Sequence, residues 1–260
     1  MDEIARYNIA RWKALAQANA LFTRPYLNLD AASARARIDP DGWLGELSGK
    51  AVLCLAGGGG QQSACFALLS ATVTVVDLSE EQLEKDRQAA AHYRVNIQTH
   101  QGDMRDLSFL QANAFDIVWQ PYSINFVPDA RQVFAQVARV MRREGVYSFN
   151  CANPFVSGLT ERDWNGEGYP LKQPYQDGMA IMYSDSSWVY QSGEAIPQPR
   201  EYRHTLSTLV SGLIEQGFVI RHLSDSTDFS SDPNAAPGTW EHFASIAPPW
   251  LTFWAIYRPT

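Results

Sequence analysis

Long hydrophobic runs are missing from this 260-residue chain. None approaches the roughly eighteen consecutive apolar residues that a membrane-spanning helix requires, which excludes such a helix. The opening Met1-Asp2-Glu3-Ile4-Ala5-Arg6 lacks the basic-then-apolar layout of a secretory leader. Cysteine is scarce: Cys54, Cys65 and Cys151 follow no metal-ligand spacing and suit reduced thiols in a cytosol. Cations are outnumbered, 21 Lys and Arg against 28 Asp and Glu, for a net charge of −7. The densest basic cluster, Arg139-x-x-Arg142-Arg143, ends a predicted helix, where positive charge offsets the helix dipole. Nucleic acid is therefore not expected as a partner, because phosphate binding needs clustered Lys and Arg. The expected setting is cytoplasmic, without a membrane partner, and no feature bears on the oligomeric state.

What is present is enough apolar sequence, 45% of residues, to bury a full core as one globular unit with an appended cap. Residues 51–63 read Ala-Val-Leu-Cys-Leu-Ala-Gly-Gly-Gly-Gly-Gln-Gln-Ser, and a second apolar run, Val73-Thr-Val-Val, ends on Asp77. Strand, glycine turn, short helix, strand and carboxylate make one βαβ nucleotide-binding half. Glycine lets backbone approach a ligand closely, and the helix that follows adds its positive N-terminus. A carboxylate about twenty residues after the turn can accept both hydroxyls of a ribose. The register of the glycines separates the cofactor classes. A dinucleotide turn of the form Gly-x-Gly-x-x-Gly would need glycine at Gln62 or at Ser63.

A shifted Gly-x-Gly-x-Gly loop does fit, as Ala56-x-Gly58-x-Gly60, and with it the chain resembles the class I S-adenosyl-L-methionine-dependent methyltransferases. Three further motifs follow in order. Gly102-Asp103-Met104-Arg105-Asp106 resembles the family's adenine-binding motif, Phe115–Trp119 its fourth strand, and Gln120–Phe126 its substrate-facing turn. The match runs through residues 50–150, and more weakly from 204 onward. It implies a Rossmann-like α/β sheet of seven strands, one late strand antiparallel, with helices on both faces. Four segments are expected: an N-terminal helical cap at 1–49, the cofactor half at 50–150, an aromatic-rich substrate lid inserted at 151–203, and a closing helix and two strands at 204–260.

Within these segments, helical character spans 4–22, with Ile4, Ile9, Trp12, Ala16 and Leu21 roughly on one side, and ends at Arg24-Pro25. A polar connector leads to Gly49-Lys50. Ser79 opens the helix after the second strand and Asp129 caps the helix of Val133, Phe134 and Val137. Gly145 starts the fifth strand. Prolines and glycines punctuate 151–200, but Phe155, Trp164, Tyr169, Tyr175, Tyr183, Trp188 and Tyr190 give it too many aromatics for a disordered linker. An ordered insertion over the cleft is expected, with a hairpin around Met182–Gln191. A helix from Leu206 to Gly217 and strands at Phe218–His222 and Leu251–Tyr257 complete the sheet.

The resemblance implies that S-adenosylmethionine is held by Ala56, Gly57, Gly58, Gly59, Gly60, Gln62, Asp77, Leu78, Asp103, Met104, Gln120 and Tyr122. Asp77 would take the ribose, Asp103 the adenine amine, and the glycines the methionine moiety. Tyr122, Asn125, Phe126 and His204 would face a small-molecule acceptor. Tyr7, Trp12 and Tyr26 could close over the cofactor. Cys54 is a departure, since the family usually has an acid there to hold the cofactor ammonium, and a thiol cannot form that ion pair. Buried between Leu53 and Leu55, Cys54 reads as core. His204, at a helix start beside the acceptor, has the titration range of a general base, with orientation of the acceptor or helix capping as its other roles; His242 ranks second.

The expected reaction is metal-independent methyl transfer to a small, partly apolar or aromatic acceptor, with oxygen favoured as the attacked atom. The family branch that uses a divalent ion has carboxylates after the fourth strand, where this chain has Gln120, Pro121, Tyr122 and Asn125. Nitrogen or sulfur as the attacked atom, a cofactor-binding protein without transfer, and a nicotinamide oxidoreductase are the other readings.

Overall fold

The structure, a computed structural model, describes residues 1–182, 196–226 and 229–260. Strand β1 (Ala51–Leu55) lies inside the sheet because its alternate side chains find a core on each face. Leu53 and Leu55 pack with one buried cluster, Val52 and Cys54 with the other. Strands β2 (Thr72–Asp77), β3 (Ile97–Gln101), β4 (Phe115–Gln120) and β5 (Met141–Ala152) join it in parallel. Strand β3 is an edge, and accordingly polar: four of its five residues are at least partly exposed.

A short antiparallel ladder, β6 (Ala180–Met182) with β7 (Arg200–Tyr202), belongs to the insertion. Strands β8 (Phe218–Ser224) and β9 (Trp250–Tyr257) then close the main sheet in the order β3-β2-β1-β4-β5-β9-β8, with β9 antiparallel to both neighbours. The expected seven-stranded α/β sheet with one late antiparallel strand is the observed one.

Seven α-helices are found among the described residues. α1 (Glu3–Gln17) stands over one end of the sheet. α2 (Ala31–Ile38), α3 (Gln62–Leu68) and α4 (Glu80–Tyr93) bury Ala34, Ile38, Phe66 and Leu83 on one face. α5 (Ala130–Val140) and α6 (Leu206–Glu215) bury Val133, Phe134, Val137, Leu209 and Leu213 on the other, and α7 (Trp240–Ile246) precedes β9. Ser79 and Asp129 cap α4 and α5 as expected, accepting from the backbone N–H of Gln82 and Arg131.

Several boundaries differ from the sequence reading, each for a local reason. Helix α1 stops at Gln17 because Asn19 adopts a left-handed backbone, φ 52°; Leu21–Thr23 form a separate 3-10 turn. Its buried face is Ala5, Asn8, Arg11, Leu15 and Ala16 rather than the Ile4–Ile9–Trp12 side. The helix rests on polar loops: Asn8 donates to the carbonyl of Phe126 at 3.0 Å, Tyr7 to that of Gln198 at 2.7 Å, and Arg11 to that of Pro197. The connector contains α2, opened by a reciprocal Asp30–Ser33 capping box.

Strand β5 begins at Met141, ahead of Gly145. Met141 already pairs with Phe115, and a register shift is accommodated where Glu144 takes φ 66°. Helix α7, capped by Thr239, was not expected. Of the expected hairpin, Met182 is the last residue of β6, opposite Arg200; Tyr183, Trp188, Tyr190 and Gln191 lie outside the described residues.

Phe149 and Phe253 sit directly opposite each other on β5 and β9, rings 4.9 Å apart and within 3° of parallel, with Tyr147 stacked on Phe149. Both phenylalanines are fully buried. Phe253→Ala should therefore cost about 3–5 kcal/mol, read as a lower urea midpoint at unchanged slope.

Candidate active site

Beyond the carboxyl ends of β1, β2 and β4 opens a cleft of about 800 Å³. Its floor is the turn after β1. Ala56 takes φ 47° and donates its N–H to the carbonyl of Val76 at 2.7 Å, bending the chain out of the strand. A Cβ on Gly58 would stand 2.7 Å from Gln82 and 3.0 Å from the Asp77 carboxyl, so only glycine fits between them. At Gly60 the backbone is left-handed, φ 69°, and a Cβ would meet the carbonyl of Lys85 at 2.5 Å.

Two carboxylates hold this turn. Asp77 accepts from Gly58 N–H at 3.0 Å and from Ser79 N–H at 2.8 Å. Asp86, on α4, accepts from Gly59 N–H at 3.0 Å, from Gly60 N–H at 3.1 Å and from the Ser63 hydroxyl. Burial pushes Asp77 up to about 6, against the lowering effect of its backbone donors. Burial pushes Asp86 up to about 7; Ser63 and the glycine amides oppose the shift, and the neighbouring Asp77 adds to it. Both folded values exceed the ordinary one. Native stability is therefore lost as pH rises from the ordinary carboxylate range through about 6 and about 7.

The lining includes Ala56, Gly58, Gln62, Asp77, Leu78, Met104, Tyr122 and Phe126 of the expected residues. Several others stand behind the wall instead. Gly59 and Gly60 turn their N–H groups to Asp86, and Gly57 packs against the ring of Pro121. Asp103 is bound by Arg105 through contacts of 2.6–3.1 Å, and Arg105 also grips Asp2 at the start of α1. Gln120 is buried: it donates to Ser123 Oγ and Met104 Sδ and accepts from the Tyr147 hydroxyl, so it braces the cleft from within. Asn125 joins the carbonyl of Tyr202 to the N–H of Ala152.

The general-base expectation for His204 is corrected. Its ring is 1% exposed, away from the cleft lining, and Nε2 stands 3.0 Å from the carbonyl of Ile124. Burial lowers its pKa, and Nδ1 has no hydrogen-bond partner among the described residues. It packs α6 onto the turn after β4. His242 is likewise engaged, with Nδ1 2.9 Å from the Tyr169 hydroxyl. The Cys54 thiol is fully buried and pushed well up by that burial, in keeping with a core role.

Of Tyr7, Trp12 and Tyr26, Trp12 lines the cleft; Tyr7 lies under Arg200 and Tyr26 under Arg37. Sequence reasoning missed Asn8, Arg11 and Phe22 on one wall, and Glu201, Trp240, Phe243 and Trp250 on others. Asp86 had a faint signal, a carboxylate three residues after Leu83 on the buried stripe of its helix. Glu201 had none: it reaches the cleft because β7 docks on the turn after β4.

These residues suit an adenosine-containing cofactor. A desolvated carboxylate seeks donors such as a ribose diol, Leu78 and Met104 offer apolar surface for a base, and the lack of a side chain at Gly58 lets the turn lie against Asp77. Gly60→Ala adds left-handed strain of about 1–2 kcal/mol and a steric clash of about 1–3 kcal/mol. A clear fall in thermal midpoint and weakened binding of S-adenosylhomocysteine are expected, by melting and calorimetry.

Comparison with known proteins agrees. A methyltransferase domain model matches residues 53–149. The uncharacterized methyltransferase YbaJ of Bacillus subtilis (strain 168) is 33% identical over 184 residues, 70% of this chain and 70% of that protein. A ubiquinone biosynthesis O-methyltransferase of Actinobacillus pleuropneumoniae serotype 5b (strain L20) is 30% identical over 111 residues, which is 41% of this chain and 47% of that one. The chain thus spans about half of that relative. In fold, it is similar to an S-adenosylmethionine-dependent methyltransferase from Mesorhizobium loti, with a TM-score of 0.63, 20% identity, and coverage of 88% of this chain and 99% of the other. The glycine turn, the strand-tip carboxylate, the sheet order and these relatives converge: the chain belongs to the class I S-adenosylmethionine-dependent methyltransferases.

Proposed function

We propose that this methyltransferase methylates a hydroxyl of a small, partly apolar or aromatic acceptor without a metal ion. The observation that carries the reading is the composition of this cleft. Asp77, Leu78, Met104 and Gly58 share it with Tyr122, Phe126, Trp240, Phe243, Trp250 and Glu201. Such a lining suits a flat, largely apolar molecule with one polar handle. The similarity to ubiquinone biosynthesis O-methyltransferases supports oxygen as the attacked atom. Metal independence is supported by the donor set: among the described residues no three side chains of His, Cys, Asp or Glu converge as metal ligands. Likewise, no helix among them is long and apolar enough to cross a membrane.

When bound, S-adenosylmethionine supplies a methyl group already activated for transfer. In this reading Asp77 accepts the ribose hydroxyls, Leu78 and Met104 sandwich the adenine, and Ala56, Gly58 and Gln62 border the methionine moiety. Tyr122 and Phe126 stand between the two ligands. Residues 151–203 act as the acceptor lid, Val156–Arg162 and Glu201 already lining the cleft. Holding donor and acceptor at roughly 3–3.5 Å and excluding water account for much of such catalysis.

The decisive experiment is incubation with methyl-labelled S-adenosylmethionine and a fractionated metabolite extract, with mass spectrometry for a product one methylene heavier. A methyl group found on nitrogen or sulfur would overturn the oxygen reading. Turnover should survive exhaustive chelation, and loss with EDTA that magnesium restores would overturn the metal-free one. The ribose role of Asp77 has its own signature. Below about 6 its carboxyl holds a proton in the free protein, so S-adenosylhomocysteine affinity should fall as pH drops through that value. Asp77→Asn should bind about ten- to hundredfold more weakly at high pH and show a flattened pH dependence.

A further inference from the structure

Three carboxylates line the cleft among the described residues: Asp77, Glu161 and Glu201. Asp77 is committed to the glycine turn, and Glu161 sits in an exposed 3-10 turn beside Arg162. Glu201 is set apart by its burial and its place in the fold. It is 6% exposed, and its backbone is fixed in the β6–β7 ladder opposite Ile181. The Tyr122 hydroxyl donates to its Oε2 at 2.8 Å. Tyr122 itself is the second residue after β4, packed edge-on against Phe126, which in turn meets Trp12. A carboxylate enclosed in such a wall carries a desolvation cost that core packing alone does not require. A polar group maintained there points to work done on what occupies the cleft.

We propose that Glu201 receives the proton of the acceptor hydroxyl, and that Tyr122 is the positioning residue that holds its carboxylate at the cleft wall. The proposal rests on the reading of a hydroxyl acceptor and assigns the proton-accepting role that His204, sealed behind the wall, cannot fill. A hydroxyl is a weak nucleophile at neutral pH, since a phenol titrates near ~10. During transfer the acceptor oxygen forms the new O–CH3 bond as the carbon–sulfur bond breaks, its electron pair remaining on sulfur. The O–H electron pair stays on oxygen and the proton passes to Glu201. One positive charge and one negative charge are thereby neutralised inside the cleft. The carboxylic acid returns its proton to water after the product leaves.

The test uses the full chain saturated with S-adenosylhomocysteine and 4-nitrophenol as the probe. A carboxylate beside a bound phenol opposes phenolate formation by like-charge repulsion. The bound probe should therefore ionise at higher pH on the wild-type protein than on Glu201→Gln, read from its phenolate absorbance. Tyr122→Phe retains the carboxylate, so the probe should titrate closer to wild type there than on Glu201→Gln. Once an acceptor is known, Glu201→Gln should slow transfer by about 10²–10⁴-fold at neutral pH, with partial recovery where the acceptor ionises unaided. Tyr122→Phe should slow it less.

Calorimetry of S-adenosylhomocysteine separates this proposal from the cofactor assignment, because Glu201→Gln should leave that affinity unchanged. Unchanged probe titration in Glu201→Gln, or no binding of 4-nitrophenol to wild type while S-adenosylhomocysteine binds, would overturn the role of Glu201. Binding of benzylamine in place of 4-nitrophenol would overturn the hydroxyl class as well. Failure of S-adenosylhomocysteine to bind wild type would overturn the cofactor site on which both depend.

Discussion

The floor of the cleft depends on two carboxylates placed under one turn. Asp77 and Asp86 between them accept the backbone N–H groups of Gly58, Gly59 and Gly60. Buried carboxylates are expensive, and both are pushed toward the protonated form by desolvation. The compensation is charge-assisted hydrogen bonds to amides that would otherwise be unsatisfied at a tight, largely buried turn. A glycine-rich segment has more conformational freedom to lose than any other, and this pinning fixes the turn without help from side chains of its own.

The remaining walls come from distant parts of the chain. Helix α1 presents an unusually polar inner face, and Asn8, Tyr7 and Arg11 tie it to the turn after β4 and to the insertion near Pro197. Its N-cap, Asp2, pairs with Arg105, which also holds Asp103. That network sets Asp103 apart from its expected contact: Arg105 already neutralises the carboxylate, so recognition of an adenine amine there would have to share it. On the far side, Trp240, Phe243 and Trp250 form one aromatic group, their rings 5.6–5.9 Å apart along the contacts Trp240–Phe243 and Trp240–Trp250.

What could be read in advance was whatever is local. The continuous apolar run of β1, the glycine turn, the caps at Ser79 and Asp129 and the carboxylate at the tip of β2 are each encoded within a few residues of where they act, and sheet order followed from family resemblance. Features created by docking were opaque. Glu201 reaches the cleft through a three-residue strand, and α1 turned its polar side inward because it covers loops rather than the sheet. His204 shows the same gap from the opposite direction. A helix start near the acceptor side was legible in Thr205-Leu206-Ser207, but which side of the wall the ring occupies depends on the carbonyl of Ile124, eighty positions away in sequence.

The composite construction of the cleft separates inheritance of chemistry from inheritance of selectivity. The matched methyltransferase domain, residues 53–149, contains both turn-holding carboxylates and the glycine turn they hold. Val156–Arg162, Glu201 and the aromatic group of Trp240, Phe243 and Trp250 lie outside it. A substitution at Trp240 reshapes a wall without disturbing any hydrogen bond of the glycine turn. Gene lineages built this way can drift from one acceptor to another by altering the later segments, while the energetically delicate floor stays as it is. Relatives that agree over the floor can therefore be expected to disagree about what they methylate.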